Sequence, residues 1–571
     1  MRRIGPKWGW FLGFSAVFAA LVAFVFWGCW SPAVTFIAPD DPISFRTAYG
    51  DIFVGWLNGF LTTGRVLPTD ILWSGLFGTP LFCRELKYAV AIYCAALGMA
   101  YFLRGRGLSR MASYGAGLLL AFCGYWFTLF SAGHGGWFVW MTYGVFAFGL
   151  IDRAVSGGKI RHWLLLGLVI AWGSFHQPDL WLMFTAFTGA YFVFCVAVER
   201  PSPKPLLLGV AVSAVVFALV GSASIRYAFA ESLAGRQNQI AESKGSSLSG
   251  GKEVANDDEA RWIFVTNWSL PPAEAAEFVD SRVNGDTSCP FVLSINGPKG
   301  VRPYAGALGR PYKAKQGNYR QHSLYVGWVT CLLAFAGIVL SMIRPPNHST
   351  SRPSNHSIVV FFAVAAVFFF LLSLGRNCGS LYRLIYVLPF GDSMRAPVKW
   401  HHLTEFCLCV LAGFGISVAG RWLDAFAKGN ARLALSFKCA LVALVFWGAA
   451  DLAVEARRFC APVDYSKAVR SGCKSDLTVL SRRQFQDPGV AEAVRLGRIV
   501  SVASWLGNPD AYLVQYLEPM KPASPAKPKP LPLALGIVSV LSAVIAAGVA
   551  VSRRFGATVF GEPGSVAEAA P

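Results

Sequence analysis

Long apolar stretches, each closed by a short polar cluster, divide this chain from end to end. Runs suited to membrane-crossing helices lie near 11–30, 88–103, 112–130, 137–151, 163–175, 180–198, 206–225, 323–343, 357–374, 403–420, 432–452 and 531–551. A helix normal to a bilayer needs about 20 apolar residues, so the shorter runs predict helices extended at their ends or tilted within a bundle. Arg2, Arg3 and Lys7 precede the first run as they would in a signal peptide, but its length and the bulky Trp27 and Trp30 at its exit predict a retained anchor. The pattern predicts an all-α polytopic membrane protein of about 12 transmembrane helices, with small extracytoplasmic insertions of mixed α/β character where hydrophobic and turn residues alternate.

Composition agrees with this reading. With 54% hydrophobic and 14% charged residues over 571 positions, the chain is too apolar for a soluble protein and too long for a simple anchor. The net charge of +20 would suggest nucleic acid in a soluble protein, but here the basic residues gather in short connections between apolar runs. That distribution reports topology and implies no nucleic-acid partner. With a cytoplasmic N-terminus, Arg104/Arg106/Arg110, Arg153/Lys159/Arg161, Arg200/Lys204, Arg344/Arg352, Arg421/Lys428/Arg432 and Arg553/Arg554 all fall on one side, as the positive-inside rule requires.

The chain then divides into an N-terminal transmembrane module 1–225 with an outer loop 31–87, an extracytoplasmic insertion 226–322, a second module 323–452, a polar extracytoplasmic segment 453–530, and a last helix with a cytoplasmic tail 531–571. Within the second module, 375–402 is too short to cross and reads as a re-entrant or interfacial segment. Gly245–Gly251 is Ser/Gly-rich and reads as a mobile loop, a linker in preference to a lid, and Lys521–Pro532 as a stiff tether into the last span. The 13 cysteines show no CxxC pair. Cys460 and Cys473 fall in a polar segment on the outer side, where a disulfide and two free thiols both stand as readings.

Residues able to do chemistry collect on that outer side. Asp40 and Asp41 follow the first span between Pro39 and Pro42, so they land at the membrane surface, where a carboxylate can serve as general base on a lipid-linked sugar. Asp51 is the next acid in the loop. His134 lies among glycines at a tight turn, and His176, Gln177 and Asp179 offer hydrogen-bonding groups for sugar hydroxyls at another. Arg376 and Tyr382 belong to the interfacial segment, and Arg395 and Lys399 lead into the tenth run. Cations on the outer side run against the usual charge bias and are suited to gripping an anionic phosphate. His401-His402 reads as an interfacial pair without metal-ligand spacing. The apolar runs are nearly free of acids, which favours surface chemistry over transport along a path through the spans.

With these residues in hand, the chain resembles the YfhO-type family of bacterial membrane proteins, of the GT-C class of glycosyltransferases. The likeness is carried by Leu72-Trp73 through Phe77-Gly78-Thr79-Pro80, by the turns Ser131-Ala132-Gly133-His134 and His176-Gln177-Pro178, and by Asn318-Tyr319 through Ser323-Leu324-Tyr325-Val326-Gly327. It continues through Leu381-Tyr382 to Pro389 and Arg395-Ala396-Pro397-Val398-Lys399 on to Leu411-Ala412-Gly413-Phe414-Gly415. The resemblance implies a multi-pass enzyme of the bacterial inner membrane that moves a sugar from a polyprenyl-phosphate carrier to an envelope glycan or lipid acceptor outside the cytoplasm. In that class a carboxylate of the first outer loop is usually the base and the anomeric carbon is inverted. Relatives often carry an acid near the position of Thr47, beside an arginine like Arg46, so the base here is ranked Asp41, then Asp40, then Asp51. A divalent metal beside these carboxylates and a metal-free site are both compatible with the acid doublet. A flippase of lipid-linked saccharides and a non-catalytic envelope assembly protein remain the alternatives.

Overall fold

A computed structural model of the chain describes residues 6–30, 34–36, 43–44, 57–64, 80–132, 135–176, 178–245, 256–266, 268–281, 283, 324–343, 354–388, 391–460, 462–466, 473–505, 508–518 and 526–551. Every apolar run falls on helix. The first half carries α1 (Pro6–Val25), α2 (Pro80–Gly105), α3 (Arg110–Ala121), α4 (Gly124–Ala132), α5 (Gly135–Gly157), α6 (Ile160–Gly173), α7 (Pro178–Glu199) and α8 (Pro203–Gly245). A short α9 (Asp257–Val265) precedes α10 (Trp328–Met342), α11 (Ser354–Ser373), α12 (Leu381–Tyr386), α13 (His401–Phe426) and α14 (Ala431–Phe459). Among the described residues, eight helices are long and apolar enough to cross a membrane, and three shorter apolar helices accompany them.

Burial separates centre from rim. The span Arg110–Phe130 is 94% buried, whereas Pro530–Val551 is only 17% buried. Large apolar side chains such as Leu207, Phe335, Val364, Trp447 and Ile545 stand exposed on the rim helices. In water such a surface would drive aggregation, and in lipid it is solvated. The chain is a polytopic α-helical membrane protein.

Lipid offers helices no hydrophobic drive to associate, so close packing must supply it. Between α10 and α13 it comes from two glycines that face each other's backbone. A Cβ on Gly415 would overlap the Leu333 carbonyl, and one on Gly337 the Leu411 carbonyl. Where α2, α5, α7, α11 and α13 meet, aromatic rings fill the core, with Phe148 to Phe406 at 4.7 Å and Phe187 to Phe369 at 4.7 Å between centroids. The break between α3 and α4 is satisfied locally: the Trp126 indole donates to the Leu120 carbonyl at 2.8 Å, and the Gly124 N–H donates to Tyr325 O at 2.9 Å.

The bundle has a basic end and a sheet end. At the sheet end, β1 (Val34–Phe36) pairs antiparallel with β3 (Pro462–Asp464), and β2 (Ile43–Ser44) joins a sheet of order β2-β4-β6-β5 made with β4 (Lys474–Ser481), β5 (Ile499–Trp505) and β6 (Asn508–Glu518). With α15 (Pro488–Arg495) this forms the small α/β element that the polar segment predicted. The strands come from two distant parts of the chain, so the first loop and the 453–530 segment share one end. Below them, the residues before α16 (Pro530–Val551) dock on the helical turn 57–64, where the Lys529 N–H donates to the Leu61 carbonyl at 2.9 Å. The tether therefore leads into a seated helix.

The structure adds detail at two places. Helix α8 does not stop at the end of its apolar run but continues for 43 residues, about 65 Å. That is about twice a hydrocarbon core of roughly 30 Å, so the insertion expected from Glu231 begins as a projecting helix. Residues 226–245 are mostly helix formers, which explains the continuation. No disulfide joins Cys460 and Cys473; Cys460 is buried, and its carbonyl accepts from the Cys29 thiol at 3.6 Å.

At the basic end a buried cation ties four elements together. Arg106 pairs with Asp152 of α5, reaches the Tyr191 hydroxyl of α7 at 2.9 Å and Glu199 Oε1 at 3.4 Å, and offers its carbonyl to Asn355 of α11 at 3.4 Å. Tyr191 in turn donates to Asp152 at 2.7 Å. Replacing Arg106 by Met strands the Asp152 charge and is expected to cost about 3–5 kcal/mol. Thermal unfolding in detergent should show a large loss for Arg106→Met and substantial recovery when Asp152→Leu is added. Equal melting of wild type and Arg106→Met would show that the pair does not hold this end.

Candidate functional site

The described site residues gather at the sheet end, where α6 turns into α7 and where the chain leaves α11 and enters α13. Asp179 opens α7, with one carboxylate oxygen accepting the Leu180 N–H at 2.9 Å. Its other oxygen pairs with the Lys399 ammonium. Both side chains are nearly closed off, at 12% and 4% exposure, so the pair sits in a medium that strengthens it. Two residues expected separately to meet substrate therefore meet each other. His176 ends α6 in the same turn, its N–H donating to the Gly173 carbonyl at 3.1 Å. His134, Gln177, Asp40, Asp41 and Asp51 lie outside the described residues.

Lys399 is held by strained backbone. It belongs to a 3-10 turn, Pro397–Trp400, entered through Ala396 at φ 64°, and Trp268 opposite has φ 61°. Left-handed backbone at a non-glycine residue costs roughly 1–3 kcal/mol and persists where the surroundings over-determine it. Here the Ala396 N–H donates to the Val265 carbonyl at 3.0 Å, and the Val398 N–H donates to the Trp268 carbonyl at 3.3 Å. The turn sends Arg395 one way and Lys399 the other. Arg395 lies over the rings of Phe264 and Trp268, at 4.1 Å and 4.3 Å from their centroids.

Arg376 and Tyr382 complete the rim. The Arg376 N–H donates to Ser269 Oγ at 3.1 Å, while no acid among the described residues pairs with its guanidinium. Burial lowers the Arg376 pKa, the signature of a cation that gains from an anion beside it. Tyr382 is fully buried and its hydroxyl donates to the Met394 carbonyl at 3.1 Å, which fixes the strand ahead of Arg395. Burial, with the Asp179 carboxylate close by, pushes its phenol far up and keeps it neutral. Arg261 pairs with Asp392 at 2.9 Å and pins α9 to the same segment.

Directly below this rim an apolar groove of about 660 Å³ runs between α7 and α11. Met183, Phe187 and Phe194 line one side and Val360, Val364 and Phe368 the other, with Ile385 and Trp400 at the sheet end. Met183 lies one turn below Asp179, and Trp400 adjoins Lys399. The lining of the apolar slot thus reaches the immediate sequence neighbour of Lys399 and the turn of α7 that follows Asp179.

A second polar group was not legible as such. His401 and His402 are buried, not interfacial, and Glu405 of the same helix lies 3.6 Å from His401 Nε2 and 3.5 Å from His402 Nδ1. Tyr125 stacks on His402 at 4.4 Å, and Phe278 covers His401 at 4.4 Å. The spans are therefore not free of acids. The spacing of two histidines three and four residues before a glutamate puts all three on one helix face, and that was the available signal. Glu85, at the start of α2, is another buried acid, accepting from Thr35 of β1. Among the described residues no group of three His, Cys, Asp or Glu side chains could hold a metal ion.

No family model matches the chain, and no curated protein does. Among solved structures, the arabinofuranosyltransferase AftD from Mycobacteria is similar at 14% identity over 78% of this chain and 28% of its own, with a TM-score of 0.39. An oligosaccharyltransferase of Archaeoglobus fulgidus tethered with an acceptor peptide is similar at 14% identity over 79% of this chain and 55% of its own, with a TM-score of 0.44. ArnT from Cupriavidus metallidurans, bound to undecaprenyl phosphate, is similar at 14% identity over 88% of this chain and 98% of its own, with a TM-score of 0.27. The chain spans 28% and 55% of the length of the first two. These scores fall below the level at which a shared fold is established, so the YfhO-type resemblance rests on its motifs.

Gly375, at φ 51°, is the pivot of the rim, since a Cβ there would overlap Ser269 Oγ and come within 2.6 Å of the Pro397 ring. Gly375→Val should push the Ser269 and Pro397 segments apart and cost more than about 2 kcal/mol. Proteolysis of the detergent-solubilised variant should be faster within 256–281 or 374–400 than in wild type. Unchanged cleavage and unchanged melting would mean that the two segments are not held together through this glycine.

Proposed function

We propose that the protein is a membrane glycosyltransferase that takes a sugar from a polyprenyl-phosphate carrier and places it on a cell-envelope glycan or lipid acceptor on the extracytoplasmic side. The observation that carries this reading is the groove with its charged rim. An apolar chain laid in the slot between α7 and α11 with its anionic head at the sheet end would point that head toward Lys399, Arg376 and Arg395. Such a rim stabilises charge developing on a leaving phosphate. The N-terminus and the basic end then face the cytoplasm of a bacterial inner membrane, and the sheet end faces out.

In this reading an aspartate of the first outer loop takes the proton from the acceptor hydroxyl, which attacks the anomeric carbon with inversion as the lipid phosphate departs. Asp41 is ranked first, then Asp40, then Asp51. The first two lie in sequence between β1 and β2, both of which are hydrogen-bonded at the sheet end to the 453–530 segment. His134, His176 and Gln177 supply sugar contacts, and Tyr382 supports the rim from beneath. The resemblance to YfhO-type, GT-C-class proteins points the same way.

One observation favours a second reading, a transporter or flippase of lipid-linked saccharides. His401, His402 and Glu405 are ionisable groups buried inside a candidate span, the placement expected along a transport path. The two readings part on chemistry. Purified protein supplied with polyprenyl-phosphate sugars should transfer sugar, and one of Asp41→Asn, Asp40→Asn or Asp51→Asn should reduce turnover by about 10²–10⁴-fold. Arg395→Ala should weaken donor binding. Full activity in all three Asn variants would remove the base assignment, and flipping without transfer by wild type would move the protein to the second reading.

A further inference from the structure

The ion pair at the groove lip does more than hold α7 to α13. We propose that Asp179 is a place-holder for the anionic headgroup: it occupies Lys399 while the groove is empty and is displaced from it when a polyprenyl phosphate enters. The inference rests on the donor class proposed above and adds a positioning residue whose removal should strengthen donor binding.

The argument starts from desolvation. A lysine ammonium at 4% exposure is costly without an anion, and in the structure Asp179 supplies one. Lys399 immediately precedes Trp400, which lines the sheet end of the apolar groove, and Asp179 stands one turn above Met183, which lines the groove on the other side. A chain lying in the groove brings its phosphate to this point. There the phosphate and the carboxylate compete for one cation, and like charges at contact distance repel.

Asp179 is built to give way at low cost. Its second oxygen accepts the Leu180 N–H at 2.9 Å at the start of α7, where the helix dipole also favours a negative charge. The carboxylate therefore keeps a partner after leaving Lys399. Lys399 has less freedom, because its 3-10 turn is fixed by the strained Ala396 and by the Val398 N–H bond to Trp268. The cation stays and the anion exchanges. An uncharged lipid with the same tail cannot make the exchange, so the pair also selects for a charged head.

The test measures binding of a polyprenyl monophosphate to the full-length protein in detergent by native mass spectrometry, with the matching polyprenol as uncharged control. Wild type should prefer the phosphate. Asp179→Asn should bind the phosphate about tenfold more tightly and leave the polyprenol unchanged, while Lys399→Met should lose the preference and Asp179→Asn/Lys399→Met should show no gain. A merely structural Asp179 would give weaker or equal binding, so unchanged or reduced phosphate affinity in a folded Asp179→Asn overturns the inference. If that variant does not fold, Asp179→Ser, which retains an acceptor for the Leu180 N–H, is read by the same criterion. Wild type that binds phosphate no better than polyprenol would defeat the donor assignment itself, an outcome separate from failure of the exchange.

Discussion

Charge in a low-dielectric slab must be paired, and that requirement organises the molecule. The bilayer core admits neither a bare carboxylate nor a bare ammonium without a cost of several kcal/mol. The chain meets this by placing its buried pairs at the two ends of the bundle. Arg106 with Asp152 closes the basic end, and Lys399 with Asp179 and Arg261 with Asp392 close the sheet end. Between them the core is built from aromatic rings and glycine-mediated backbone contact, neither of which carries net charge. The ends are therefore where the structure is specific, and the middle is where it is merely tight.

At the sheet end, specificity is bought with strain. Ala396 and Trp268 hold left-handed backbone, Gly375 sits where a side chain would not fit, and the three lie within one hydrogen-bonded group that joins α9, α11 and α13. Arg395 clamped over two rings and Lys399 on its short turn are consequences of that geometry. Stored strain of this kind, together with cations that are fixed before any ligand arrives, is the arrangement that preorganisation requires. At the basic end, by contrast, Arg106 is engaged by Asp152, Tyr191 and Glu199, which marks it as a structural tie.

The parts of this architecture that were legible in the sequence are those governed by local rules. Apolar runs specify helices because a backbone in lipid must bond to itself, so the helices follow from hydropathy alone. The α/β element at the sheet end follows from alternation and turns. The charge pairs are different, since Asp179 and Lys399 are 220 residues apart in sequence and nothing local says that they neutralise each other. Asp179 could be recognised as suited to sugar hydroxyls and Lys399 to a phosphate, but not that the two pair with each other. His401 and His402 read as interfacial because they begin an apolar run, and it is the rings of Tyr125, Trp126 and Phe278, distant in sequence, that bury them.

The buried His401–His402–Glu405 group bears on what the pair at the lip can do. Its three side chains start two residues after Lys399 on the same continuous segment, beneath Trp400 and against Tyr125. Rings enclose all three side chains away from water, so the rim's charge rests with Lys399, Arg376 and Arg395. A transport path would need this group to connect to both ends of the bundle through polar side chains. In the structure it is enclosed instead by Tyr125, Trp126 and Phe278, and the aromatic core contributed by Phe406 and Phe148 lies next along α13. That enclosure counts against a transport path running through this group.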